Sequence, residues 1–230
     1  MKLKQTKLYW KLQRRLRKKN ICKSGYGQYG QDAVAYQLLK DIKEGVFVDI
    51  GANDGFTFSN SLLFEEAGWS GICVEPHPII FKVLKEKRTC NIVNACISDE
   101  NKVVDFLVVE GGSNMLSGIL EFLDQENLDR IDREIKDNGG NKKIIPIESI
   151  SSTSLLNRFN YDHIDFLSVD TEGCELLILK SINLKKIPVT VISVENGSRS
   201  PEIFNYLNKI GYDLFKCVGC DEIYIKRTTS

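Results

Sequence analysis

Four apolar runs of this 230-residue sequence carry an acid where they end. Asp49 lies in Val46-Phe47-Val48-Asp49-Ile50, just ahead of the turn Gly51-Ala52-Asn53-Asp54-Gly55, and Glu75 ends Gly71-Ile72-Cys73-Val74-Glu75. Asp170 follows Ile164 to Val169 and opens Asp170-Thr171-Glu172-Gly173-Cys174-Glu175; Glu195-Asn196-Gly197 follows Pro188 to Val194. Gly51 and Gly55 let a chain turn tightly and let a ligand approach the backbone. Their GxxxG spacing lacks the GxGxxG of dinucleotide-binding proteins. Asp49 would repel a pyrophosphate and would welcome a cation such as the sulfonium and ammonium of S-adenosylmethionine. Glu75, 20 residues after Gly55, can accept hydrogen bonds from both hydroxyls of a ribose, as acids at this place do in nucleotide-binding sheets.

At the other pair of strand ends two readings stand side by side. Asp170, Glu195 and Asn196 offer hard oxygen ligands to Mg²⁺ or Mn²⁺. Equally, Glu195 and Asn196 cap a turn, and Glu172 and Glu175 cap the helix that follows Gly173. Asp170 is read as functional, with Asp170 or Glu172 as a general base if no metal is present. The two histidines do not suit that role: His163 precedes its strand, and His77 flanks the ribose carboxylate.

These residues need a frame of strands alternating with helices. Continuous apolar runs read as buried parallel strands. Strands are expected at 46–50, 71–75, 91–97, 143–147, 164–169 and 188–194, with helices at 56–67, 78–87, 151–159, 173–180 and 201–209. An alternating run covers 102–109, and a hairpin closes the chain at 211–217 and 222–226. Right-handed crossovers then give one α/β domain, a doubly wound and mainly parallel sheet with a C-terminal antiparallel hairpin. Ligands bind such sheets beyond the carboxyl ends of the strands. The stretch 110–142, with its Gly111-Gly112-Ser113-Asn114 loop and charged helical run 119–137, breaks the rhythm. It reads as a lid over the acceptor, with Met115 and Ser117 facing inward.

The composition, 42% hydrophobic and 27% charged, suits one globular domain. No apolar run approaches the roughly 20 residues of a membrane-spanning helix. Residues 1–19 hold nine Lys/Arg and no acid, so the rest carries 22 basic against 31 acidic groups. An acidic body is a poor nucleic-acid binder. Leu8, Leu12 and Leu16 put one apolar stripe on the basic segment, which makes 1–24 an amphipathic helical tail for packing on the body or for an acidic surface or partner. The remainder, 25–230, is the domain. Seven cysteines without a framework suggest a reducing, cytoplasmic setting. Cys217-Val218-Gly219-Cys220 lacks the partners of a zinc site.

Together the segments VDIGANDGFTFSN, ICVEPHP, HIDFLSVDTEGCELLILKSI and TVISVEN resemble, in that order, the FkbM-type methyltransferases. Tyr26-Gly27-Gln28-Tyr29-Gly30-Gln31-Asp32 resembles a segment that precedes the first strand in many members. The resemblance implies a Rossmann-like class I methyltransferase fold with S-adenosylmethionine at Asp49, Gly51 and Glu75, and an acceptor that in many members is a hydroxyl of a sugar or secondary metabolite. The cofactor set expected here also includes Asn53 and Gly55 in the turn, Cys96, Ile97 and Ser98 beside the adenine, and Asn60, Gln28 and Gln31 at the methionine end. An ordinary strand end and surface roles are the competing readings of these last two groups. The expected function is O-methylation of a sugar or glycan; a small metabolite or protein acceptor, and a module that binds without catalysis, are the rivals.

Overall fold

The computed structural model describes residues 25–227. The basic tail and its apolar stripe lie outside them. Helix α1 (Gln31–Leu39) precedes the first strand, an element the periodicity did not reveal. The main sheet is built from β1 (Val46–Ile50), β2 (Ser70–Val74), β3 (Asn91–Val93), β8 (Ile164–Val169), β9 (Val189–Glu195), β10 (Tyr212–Val218) and β11 (Asp221–Lys226). Its order is β10-β11-β9-β8-β1-β2-β3. Strands β1, β2, β3, β8 and β9 run parallel, and β11 enters antiparallel between β9 and β10. This is the expected doubly wound sheet with its closing hairpin. Strand order reverses between β1 and β8, so the crevice for a ligand opens at their carboxyl ends.

All five residues of β1 and all six of β8 are buried, as continuous apolar runs require of central parallel strands. Helices α2 (Leu62–Glu66), α3 (Pro78–Lys87), α5 (Ser152–Arg158), α6 (Glu175–Ser181) and α7 (Pro201–Lys209) connect the strands. Phe64 of α2 stacks on Phe166 of β8 at 4.3 Å between ring centroids and leans on Trp69 at 4.9 Å. Such pairs contribute about 0.5–1.5 kcal/mol beyond their buried area.

Several expected boundaries move. The helix expected at 56–67 begins only at Leu62. Side chains compete for the earlier backbone: Asp54 accepts from the amides of Phe56 and Thr57, and Ser59 from that of Leu62. The strand expected at 91–97 divides, because its second half, β4 (Cys96–Ser98), leaves the main sheet. It joins a second sheet, β4-β7-β5-β6, that the sequence reading missed. There β5 (Lys102–Gly111) and β7 (Gly140–Ser151) pair antiparallel over ten positions, with β6 (Gly118–Ile119) at the far edge. The insertion is therefore the elaborated end of a long hairpin. It carries helix α4 (Gln125–Asn138), which buries Ile131 against Leu107, Val109, Leu116 and Leu123.

A cavity between the turns of the central strands

A cavity of about 400 Å³ opens at the carboxyl ends of β1, β2, β8 and β9. Gly51 sets its shape. At φ 89° it takes a backbone that side chains avoid, and a Cβ there would lie 1.7 Å from the Asp170 carbonyl oxygen. The turn after β1 and the turn after β8 thus meet in backbone contact. The Asp170 amide donates to Ile50 O at 3.0 Å, which ties the same two turns together.

One half of the wall comes from the β1 and β2 ends. Asp49 is 2% exposed and accepts from Ser61 Oγ at 2.5 Å. Burial pushes its carboxyl up, against the pull of Ser61 and of the Arg88 guanidinium. Glu75 accepts from the Asn53 amide at 2.9 Å on one oxygen and from the His77 amide at 2.7 Å on the other. Burial raises it to about 7, with Asp49 and Asp54 adding to the rise. Each Glu75 oxygen keeps a lone pair for a further donor. Gln31 donates to Asn60 Oδ1 at 2.8 Å, and both line the cavity with Gln28, Cys96 and Ile97.

Two residues expected at this wall are elsewhere. Ser98 is 1% exposed and its hydroxyl is taken by Ser149 Oγ of β7 at 2.6 Å, because β4 has turned into the second sheet. Gly55 packs behind the turn, where a Cβ would strike Leu84 and Arg88. It shapes the loop without facing the cavity.

The other half of the wall is acidic. Asp170, Glu172, Glu195 and Asp221 all line it. Burial raises Asp170 well above the ordinary carboxylate range, and Glu195, Glu172 and Asp221 push it further. Glu195 is raised by burial and by Glu175. Glu172 and Asp221 both rise to about 7, through burial first and the Glu195 charge second. Glu172 itself holds a left-handed backbone at φ 56°. Arg130 of α4 reaches Glu172 at 3.7 Å and is the cavity's lone cationic side chain among the described residues. Glu175 opens α6 without capping it: its carboxylate accepts from the Thr171 and Gly173 amides at 2.9 and 3.0 Å and so ties down the preceding turn.

The expected metal triad does not assemble. Asp170 and Glu195 share the cavity, but Asn196 does not line it. Its Oδ1 accepts from the Ser200 amide at 2.9 Å, and its Nδ2 donates to Ser200 O and to Glu222 Oε1 at 2.9 and 3.0 Å. With its Oδ1 held on the Ser200 amide and the side chain off the cavity wall, Asn196 is not placed as a ligand there. Among the described residues no group of three or more His, Cys, Asp or Glu is disposed to hold a metal ion. His77 Nδ1 accepts from Ile79 and Ile80 amides at the start of α3, a helix cap. His163 is half exposed beside Asp162 at the opposite end of β8.

Arg130, Asp221, Tyr29 and Phe58 are wall residues that the sequence reading missed. Asp221 was findable from register. An antiparallel β11 inserted beside β9 must begin where β9 ends, and Asp221 indeed pairs with Glu195. Arg130 carries no such signal, being one charge among many on an amphipathic helix.

Three solved structures resemble the chain at low identity. They are a methyltransferase from Geobacter sulfurreducens (14% identical, TM-score 0.41, 94% of this chain and 87% of that one covered), a TehB-like SAM-dependent methyltransferase from Corynebacterium glutamicum (11%, 0.43, 94% and 97%), and an O-methyltransferase from Bacillus cereus in complex with SAH (11%, 0.46, 96% and 91%). No curated protein matches the sequence at a significant level. The methyltransferase FkbM domain model, in contrast, matches residues 49–214, from Asp49 in β1 to Leu214 in β10, and so the chain belongs to the FkbM methyltransferase family.

Proposed function

We propose that this methyltransferase uses S-adenosylmethionine to methylate a hydroxyl group, and that the acceptor is a sugar or glycan. One observation carries the reading. The buried carboxylates suited to the donor, Asp49 and Glu75, and a base-strength carboxyl, Asp170, share a single cavity. The residues fit the donor. Glu75 retains a free lone pair on each oxygen for a vicinal diol, Asp49 offers negative charge to a sulfonium or ammonium, and the volume is within the range of small-ligand sites. When bound, S-adenosylmethionine supplies a methyl on a sulfonium whose C–S bonding pair leaves with sulfur. The work left for the protein is to align the acceptor oxygen and take its proton. Asp170, at the junction of the β1 and β8 turns, stands to accept that proton as the O–CH₃ bond forms. A carboxyl shifted upward is the stronger base once ionised, and a cationic donor beside it favours ionisation. The insertion 110–142 serves in this reading as the lid. Met115 and Ser117 line the cavity, although the Ser117 hydroxyl is committed to Val109 N and Asn114 O.

Calorimetry with S-adenosylmethionine and S-adenosylhomocysteine tests the donor half. Glu75→Ala is expected to lose about 1.5–3 kcal/mol of affinity, that of a charge-assisted hydrogen bond. The sign with pH follows from Glu75's elevation to about 7. Ionised, it accepts from two hydroxyls; protonated, it spends one oxygen as a donor. Affinity therefore rises as pH climbs through about 7, and Glu75→Gln flattens that rise. Unchanged affinity in Glu75→Ala would remove this residue from the donor site.

A further inference from the structure

Six carboxylates line the cavity, and one guanidinium. Asp49 and Glu75 belong with the donor. That leaves Asp170, Glu172, Glu195 and Asp221 facing the acceptor with only Arg130 among them, and Arg130 is half exposed and 3.7 Å from its nearest partner. A weak, solvent-accessible pair cannot neutralise four acids. Asp221 adds an observation of a different kind. It is 3% exposed, yet among the described residues its one side-chain hydrogen-bond partner is the Cys220 thiol at 3.8 Å. A thiol is a feeble donor, and a buried carboxylate normally takes two or more strong ones. Among the described residues no stronger donor reaches it, and the side chain lies on the cavity wall.

Resting on the reading of the cavity as a methyl-transfer site, we infer that the acceptor is an amine-bearing sugar, whose protonated amino group sits among Glu172, Glu195 and Asp221 while its hydroxyl faces Asp170. An ammonium brings positive charge and three N–H donors on a compact centre, which suits several carboxylates converging from β8, β9 and β11 better than a neutral hydroxyl does. The register supports the convergence: Asp221 of β11 is the pairing partner of Glu195 of β9, and Glu172 follows β8, the neighbour of β9. The free protein meets the same charge problem by holding protons, as the upward displacement of these acids by burial and by one another shows. The other charged or titratable groups at this end are Glu175, Cys220 and Arg130; Arg130 works against the displacement of Glu172 and Glu195. A bound ammonium would replace those protons, and they would leave to solvent.

Isothermal titration of the protein with methyl 2-amino-2-deoxyhexosides, their N-acetyl forms and the 2-hydroxy parents tests this directly. The free amine is expected to bind at least about tenfold more tightly than either neutral form at pH 7, since charge-assisted bonds are being compared with neutral ones. Repeating the titration in buffers of different ionisation enthalpy should show protons released between about pH 6 and 8 for the amine alone. Asp221→Asn should collapse the preference between amine and parent. Equal affinities, absent binding of the amine, or no proton release would overturn the inference. A mass-spectrometric assay for methyl transfer runs alongside. Methylation of amine and parent without preference leaves the hydroxyl-methylation reading standing and sinks this one. Tight amine binding without any methyl transfer does the reverse.

Discussion

Asp170→Asn is expected to slow methyl transfer by about 10²–10⁴-fold, the usual contribution of a positioned general base, with binding of S-adenosylmethionine retained. The substitution keeps shape and hydrogen-bonding capacity and removes the ability to take a proton. The pH profile separates that loss from a merely structural one. Asp170 and Glu195 interact closely and both are displaced upward, so they titrate as a pair. A base must be ionised to act, so the wild-type rate should rise with pH through the pair's elevated midpoint, and the residual rate of Asp170→Asn should lose that limb. Glu195→Gln should move the limb to lower pH, because it removes the charge that lifts Asp170. Rates in EDTA are expected to equal those in its absence, since the Asn196 amide is committed to Ser200 and Glu222. A rate lost in EDTA and restored by Mg²⁺ would return Asp170 and Glu195 to a metal site. An unchanged rate in Asp170→Asn would pass the role of base to Glu172.

How far the sequence reveals this site follows from the range of the forces that build each part. The central parallel strands are legible because burial on both faces demands continuous apolar runs, and β1 and β8 show them. Carboxylates at the ends of such runs are then placed by topology alone, which is why Asp49, Glu75, Asp170 and Glu195 reach one cavity. The second sheet is legible only in part, for the opposite reason. The run 143–147 reads as a strand, but the rest of 140–151 is largely exposed and polar, and the strand reaches twelve residues because β5 offers a partner over ten positions. Tertiary pairing, which no local pattern records, decides there. Ser98 shows the cost of missing it: β4 belongs to the new sheet from Cys96 onward, and Ser98 at its end gives its hydroxyl to Ser149 of β7. Asn196 fails through local chemistry, since an amide one residue past a strand can turn to its own loop as readily as to a ligand.

Acids left uncompensated for a ligand should make the free protein less stable as pH rises. Asp32 is held at about 6 by burial, with one carboxylate oxygen unpartnered. Glu75, Glu172 and Asp221 are held at about 7, also chiefly by burial. A carboxyl with a raised folded pKa binds its proton more tightly folded than unfolded. Its stabilising contribution is complete below the unfolded value near 4 and is lost as pH climbs to the folded one. Glu65 runs the other way. Burial would raise it, but the Arg88 guanidinium at 2.5 Å holds it at about 2, so its contribution is present above about 4.5 and fades below. Stability should therefore peak near pH 4, where the two windows cross. A net loss of a few kcal/mol toward pH 8 corresponds to a fall in Tm of roughly 10 °C for a domain of this size. Scanning calorimetry of the ligand-free protein at pH 5 and pH 8 measures it, and a profile that is flat or rises with pH would contradict it. Glu172→Gln with Asp221→Asn should reduce the fall, since two of the raised groups then carry no charge to bury. A cationic ligand should restore stability most at pH 8, where the acids are ionised and its charge replaces their protons. A fold that leaves Glu172 and Asp221 to ionise on a cavity wall as pH rises is less stable than it could be, and a bound cation would recover part of that deficit.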